Sequence, residues 1–375
     1  MKNKDSLMLY IHIPFCERKC DYCDFLSFVT DEDTKAGYFK GLFKQLELKA
    51  ELAGNIPVSS IFIGGGTPSC VDERFIYDTL MLVRDKYRVL DDAEITMESN
   101  PNSIRKEALS VYRNAGINRI SMGLQSADNE ELKLLSRLHS YEDFLKAYDA
   151  VRLCGFDNVN VDLLSGLPGQ SIASFEKTLS KVISLKPEHI SAYSLIFEEG
   201  TRFFERYGDG EGTVDEETDR YIYHMTQSML KDFGYERYEI SNYSRPGKEC
   251  RHNLGYWVRR PYLGFGPSAA SLFDEKRYSM HRDLKAFIGG DFSESVEELS
   301  LNAQMEEFMF LGLRLTKGIG RDEFFKTFNK DLDSVYKNVM EKLQKEGLLD
   351  ISGRVKLTER GLDLANYAMS QFLLD

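Results

Sequence analysis

Two rhythms of apolar and polar positions alternate along the first two-thirds of the chain. Short apolar runs of strand length recur at 7–13 (LMLYIHI), 59–66 (SSIFIGGG), 93–99 (AEITMES), 118–125 (NRISMGLQ), 158–166 (NVNVDLLSG) and 189–196 (HISAYSLI). Between them apolar residues return every three or four positions. This spacing predicts helices over 34–52, 72–87, 103–114, 130–136, 141–154 and 171–184, with Ser103 as a cap. Strands that alternate with helices pair in parallel through right-handed crossovers. A doubly wound sheet meets that requirement, and so does a barrel. The barrel is favoured because at least five strands run out into glycine or unusual polar residues, as they do when one rim carries a site. The expected fold class is α/β, a partial, TIM-like (β/α)6 barrel.

An amphipathic segment at 215–233 closes this region, and 241–271 reads as irregular, rich in Gly, Pro, Tyr and Arg. A helical unit begins near Asn302 and ends in GLLDISGRVKLTERGLDLAN, which reads as helix stop, strand, Ser-Gly turn, strand and helix. That order resembles a winged helix. Three units are expected: 1–235 as the barrel, 236–290 as a connecting segment and 291–375 as a winged-helix-like C-terminal domain. Acidic residues are mixed into the last unit without a basic recognition stripe, which favours packing or partner contact over nucleic acid.

Composition narrows the picture. With 375 residues, 42% hydrophobic and 29% charged, the chain has the balance of an ordinary globular protein of two or three units. No stretch is long and apolar enough for a transmembrane helix, and the N-terminus lacks a signal-peptide core, so a cytoplasmic location is expected. A formal charge of −12 opposes nonspecific nucleic-acid binding. Of six cysteines, three fall within eight residues, and Cys70, Cys154 and Cys250 are scattered. This distribution fits one metal cluster in a reduced compartment better than a disulfide framework.

Cys16, Cys20 and Cys23 form C-x-x-x-C-x-x-C directly after the first strand. Three thiolates on a short loop can hold three corners of a [4Fe–4S] cluster and leave the fourth iron open to an outside ligand. A structural zinc would need a fourth ligand, for which His12 is the candidate. Cysteines that bind nothing are the remaining alternative. Asp162, between Val161 and Leu163, is a charge in an apolar strand and needs a partner there.

The triad, with Tyr22 before its last cysteine, resembles the signature of radical S-adenosylmethionine (SAM) enzymes, and GGGTP at 64–68 resembles the segment of that family that faces the methionine amino group. The series YIHIPFC, CDYCDF, FIGGGTP, EITMESNP, NRISMGLQS, NVDLLSGLPGQ and HNLGYW resembles the oxygen-independent coproporphyrinogen oxidase group, and within it the HemW-type heme chaperones. The resemblance implies a radical SAM barrel that carries a [4Fe–4S] cluster on Cys16, Cys20 and Cys23, with SAM on the open iron. Tyr22 would pack beside adenine, and Tyr10 would lie at the cluster end of the first strand. Gly65, Gly66 and Thr67 would bring backbone close to methionine, where a Cβ would obstruct it. Glu98 and Asp162 would accept hydrogen bonds from ribose hydroxyls or the amino group. Gln125 and Arg137 would hold the ribose and the carboxylate, for which the guanidinium fork is suited.

Two features separate the chain from the oxidases. Asp24 and Phe25 follow Cys23 where the oxidase pattern continues with glycine and another cysteine, and Cys16 follows Met1 too closely for the long extension that precedes the triad in oxidases. RHNLGYW at 251–257 resembles the HNxxYW motif associated with heme handling. It implies His252 as a heme ligand, with Tyr256 and Trp257 against the porphyrin face. Arg251, Arg259 and Arg260 are candidates for the propionates, and Cys250 is a second soft-ligand candidate. The expected function is a chaperone that binds heme and delivers it to a respiratory or membrane-associated apo-protein, with an electron donor serving the cluster. Porphyrinogen decarboxylation is the alternative.

Overall fold

The computed structural model describes residues 6–208 and 210–374. Strands and helices alternate as the sequence predicts: β1 Leu7–Ile13, α1 Glu32–Ala53, β2 Val58–Gly65, α2 Glu73–Lys86, β3 Val89–Ser99, α3 Lys106–Ala115, β4 Arg119–Gln125, α4 Asn129–Leu134, α5 Tyr141–Leu153, β5 Val159–Ser165, α6 Ile172–Leu185 and β6 His189–Ser194. Side chains that take up free N–H groups set the helix starts. Asp31 accepts from Thr34 at α1, and Ser140 forms a capping box with Asp143 at α5. Ser103 does not cap α3 as expected. It sits in a 3-10 turn ahead of that helix, where its hydroxyl bonds the Asn100 carbonyl and Ser69.

β1 to β6 pair in parallel in chain order, and among the described residues no pairing returns β6 to β1, so the barrel is partial. Each strand has faces of opposite character because successive side chains point to opposite sides. Leu9, Ile11, Ile63, Met97, Ile120, Met122, Val161 and Leu163 enter the large apolar core against the helices. The alternate positions are polar or aromatic: Tyr10 and His12 on β1, Ser60 and Phe62 on β2, Glu94 and Glu98 on β3, Arg119 and Ser121 on β4, Asn160 and Asp162 on β5, His189 on β6. The concave interior is thus a hydrogen-bonded chamber. His189, for example, bonds Asn160 at 2.6 Å and the Tyr238 hydroxyl at 2.8 Å.

The chain continues through α7 Arg202–Tyr207, α8 Glu216–Asp232, β7 Glu236–Arg237, β8 Asn242–Ser244, α9 Arg251–Trp257, β9 Tyr262–Phe265, β10 Ala270–Phe273, β11 Lys276–Met280, α10 Leu284–Ile288 and β12 Glu294–Glu298. The stretch expected to be irregular is therefore ordered. β8 and β7 add antiparallel beyond β6, while β9 adds parallel to β1 and β10 to β12 extend that edge, giving a mixed twelve-stranded sheet. Segment 236–290 supplies β7 and β8 at one edge and β9 to β11 at the other, where β12, from within the expected C-terminal unit, is outermost.

The remaining elements are α11 Leu301–Gly312, α12 Arg321–Phe328, α13 Leu332–Lys345, β13 Leu349–Asp350, β14 Lys356–Leu357, α14 Glu359–Asp363 and α15 Ala365–Ser370. They share a second apolar core built on Met309, Phe324, Leu332, Leu343 and Val355. β13 and β14 form the antiparallel ribbon expected from the Ser-Gly turn. Among the described residues no helix is long and apolar enough to cross a membrane.

Candidate functional site

β1 delivers the cysteine loop to the rim where the parallel strands end. The Cys16 N–H donates to the Phe28 carbonyl (3.0 Å) and the Phe28 N–H to the Pro14 carbonyl (2.9 Å), so the loop leaves and returns at one point. The Cys23 N–H closes a turn onto the Cys20 carbonyl at 3.2 Å. α7 straps the loop from outside. Asp21, 5% exposed, accepts from Arg202 (3.4 Å) and Arg206 (3.1 Å), its carbonyl accepts the Phe203 N–H, and the Tyr22 ring packs edge-on against Phe203.

Beside the loop lies a cavity of about 360 Å³. All of the residues expected for the cluster and SAM except Tyr10 line it: Cys16, Cys20, Cys23, Tyr22, Gly65, Gly66, Thr67, Glu98, Gln125, Arg137 and Asp162. A polar chain joins the first two thiols. Cys16 Sγ lies 3.4 Å from Thr67 Oγ1, which accepts from Asn100 Nδ2 at 2.8 Å. Arg137 donates to Asn100 Oδ1 (2.5 Å), the Gly123 carbonyl (2.6 Å) and Cys20 Sγ (3.7 Å). Sequence reasoning missed Asn100, Ser121 and Tyr193, which also line the cavity. Ser121, a polar residue between Ile120 and Met122 in predicted strand 118–125, carried a signal that could have found it.

Two carboxylates face the cavity from β3 and β5, on either side of β4. Glu98 accepts the Gly65 N–H at 3.0 Å, and burial together with the nearby Asp162 carboxylate pushes its pKa up to about 7. Asp162 accepts from Asn160 (2.7 Å) and Ser121 (3.1 Å), yet burial still raises it. These bonds supply the partner its strand position demands. Gly65 has φ +108°, and a Cβ there would meet the His12 ring first, while one on Gly66 would meet the Phe15 carbonyl. The glycines are required by packing of the β1 and β2 ends.

Among the described residues no three His, Cys, Asp or Glu side chains are already gathered as a metal-ion site. The donor set nonetheless suits an iron–sulfur cluster. Cys16, Cys20 and Cys23 are free thiols on one cavity wall. Burial raises the Cys16 thiol and pushes Cys23 up to about 11, so thiolates here call for a bound cation. His12 is poorly placed to complete a zinc site. Its Nδ1 bonds the Tyr10 hydroxyl and its Nε2 the Leu26 carbonyl, each at 3.0 Å.

Tyr10 and His252 lie apart from the cavity lining. Tyr10 packs in the chamber against Phe62, with burial raising its hydroxyl pKa. His252 is 0% exposed on α9, and both ring nitrogens are engaged: Nδ1 with Ser60 Oγ at 2.9 Å and Nε2 with the Tyr256 hydroxyl at 3.0 Å. Its backbone N–H and that of Arg251 donate to Glu94, toward which Cys250 also points its thiol. Iron would reach His252 only by breaking one of the two ring bonds. Arg259 is paired with Glu275 and Glu307, and Arg260 donates to Ser59. Trp257 leaves the chamber and faces the C-terminal unit, where the Arg314 guanidinium lies 4.3 Å from its ring centroid.

Comparison with known proteins agrees with this architecture. Residues 10–182 match the radical SAM superfamily, and 299–364 match the HemN C-terminal domain. The chain is 33% identical to the heme chaperone HemW of Bacillus subtilis (strain 168) over 97% of this chain and 98% of that protein. It is 33% identical to heme chaperone HemW of Escherichia coli (strain K12), with 98% of each covered. The solved structure of E. coli coproporphyrinogen III oxidase (HemN) superposes with a TM-score of 0.87 at 24% identity, covering 99% of this chain and 91% of that one. That likeness shows the fold: a radical SAM partial barrel with a mixed sheet and a C-terminal helical domain. The chain belongs to the radical SAM superfamily and, within it, to the HemW/HemN-like family of heme chaperones and coproporphyrinogen oxidases.

Proposed function

We propose that the protein is a heme chaperone that carries a [4Fe–4S] cluster with SAM and passes heme to an apo-protein. The observation that carries this reading is the full-length likeness to relatives named heme chaperones, supported by the gathering of the expected cofactor residues around one cavity. Cys16, Cys20 and Cys23 would hold the cluster, and the rim residues would hold SAM. When bound, the pair supplies one-electron cleavage of the sulfonium. Glu98 and Asp162 offer acceptors to the amino group and ribose hydroxyls. Arg137 shields Cys20 and fixes Asn100, which in turn orients Thr67 beside Cys16. Asp24 and Phe25 after Cys23 favour the chaperone over the oxidase.

The test is anaerobic reconstitution followed by two parallel assays. One follows hemin binding and its transfer to an apo-cytochrome. The other follows coproporphyrinogen decarboxylation with 5′-deoxyadenosine release. Binding and transfer without decarboxylation is expected. Decarboxylation without measurable hemin affinity would reverse the reading in favour of the oxidase.

A further inference from the structure

The HNxxYW segment is divided by the fold. His252 and Tyr256 turn into the chamber, where they bond each other, while the following residue, Trp257, meets the C-terminal unit. Beyond Trp257 lies a second cavity of about 270 Å³, lined by Val258, Phe308, Leu315 and Ile319 among others, with Lys317, Lys326 and Arg354 at its edge. Glu323 is the one carboxylate among the lining residues, and Arg354 neutralises it at 2.8 Å. The lining is therefore net cationic around an apolar floor. The Trp257 indole N–H is buried without a hydrogen-bond partner among the described residues. Of the cations at the cavity edge, Lys326 shares an exposed pair with Asp322 at 3.1 Å, whereas Arg259, on the other side of the motif, is buried between Glu275 and Glu307.

Resting on the heme-carrying reading above, the geometry points to this cleft between α9 and the C-terminal unit as the tetrapyrrole site. A planar apolar macrocycle with carboxylate arms combines an edge for the apolar floor with anions for the two lysines. The cavity is at the small end for a ligand pocket, so it takes one edge of the macrocycle and leaves the rest over half-exposed Val258. The match is one of chemistry: a neutral porphyrin satisfies the floor but not the rim, and a small carboxylate satisfies the rim but not the floor. Trp257, the only tryptophan in the chain, places a fluorescent reporter in the wall.

Hemin and protoporphyrin dimethyl ester, which lacks free carboxylates, are titrated into the full chain while tryptophan fluorescence and the Soret band are followed. Lys317→Glu combined with Lys326→Glu reverses two exposed charges without touching a core, and Thr327→Tyr fills the cavity. Each is expected to weaken hemin binding at least about tenfold, as loss of paired charge or of a pocket does at an interface. The lysine variant is expected to leave the weaker binding of the diester unchanged. Hemin affinity within about twofold of the parent in both variants, each with the parent's thermal midpoint, would place the macrocycle elsewhere and overturn the assignment. A parent chain that takes up no hemin removes the heme-carrying reading itself, a separate and distinguishable failure.

Discussion

Arg206 reaches the Asp21 carboxylate at 3.1 Å, tying α7 to the residue that stands between Cys20 and Tyr22. Asp21 is almost wholly buried, whereas Arg206 and Arg202 are more than half exposed. Removing the two arginines strands a buried carboxylate, and removing the carboxylate strands nothing buried. Arg202→Gln with Arg206→Gln is therefore expected to lower iron per chain after anaerobic reconstitution about twofold or more, with Asp21→Asn closer to the parent. Equal loading in all three proteins would show that the strap does not position the loop.

The three thiols on the cavity wall and the nearby Cys70 make opposite predictions. Cys70 donates to the Phe15 carbonyl at 3.4 Å and lies outside the cavity lining, with burial pushing its thiol up to about 12. Replacing Cys16, Cys20 or Cys23 by Ser is expected to abolish most of the reducible visible absorption, while Cys70→Ser retains it. Full loading in any of the first three would contradict the cluster assignment.

Glu98 gives a pH dependence of defined sign. Its folded pKa of about 7 lies above the ordinary carboxylate value, so its contribution to stability is full below about pH 4 and is lost as pH rises through about 7. Glu98→Gln is expected to raise the thermal midpoint at pH 8 relative to the parent and to narrow that gap at pH 5. The same variant is expected to weaken SAM binding about tenfold at pH 8, since a neutral amide serves a cationic ligand less well than a carboxylate. Calorimetry at the two pH values reads both effects. A parent-like midpoint at both would remove Glu98 as a buried, titrating group.

His252→Ala is expected to destabilise the chain by about 2–4 kcal/mol, because it opens a buried void and strips acceptors or donors from Ser60 and Tyr256. Urea unfolding of the full chain measures this. A change within about 0.5 kcal/mol, the range of surface substitutions, would show that the two ring bonds contribute nothing.

The six parallel strands were legible as short apolar runs between helical stretches, and β4 shows the two faces most plainly, with Ile120, Met122 and Leu124 toward the helices and Arg119, Ser121 and Gly123 away from them. The cavity followed from those strands, since parallel ends share one rim. β8, β9 and β10 were not legible. They are three or four residues long, and Tyr262–Phe265 becomes a strand by pairing with β1, a partner far away in sequence. Asn100 was hidden for a related reason: its importance lies in linking Thr67 to Arg137, three loops that converge only in the fold. The motif around His252 gave residue types without directions, and the short helix α9 sends its histidine and its tryptophan to different sides.

The parallel pairing of β9 with β1 also bears on the order of assembly. During synthesis β1 emerges first and gains β2 soon after, but its other edge stays open until residues 262–265 have been made. The loop that carries Cys16 thus hangs from an edge strand for most of translation and from an interior strand afterwards. A sheet closed by its most distant contact folds late. A chain cut short before β9 would accordingly present β1, and the cysteine loop that follows it, on an open sheet edge.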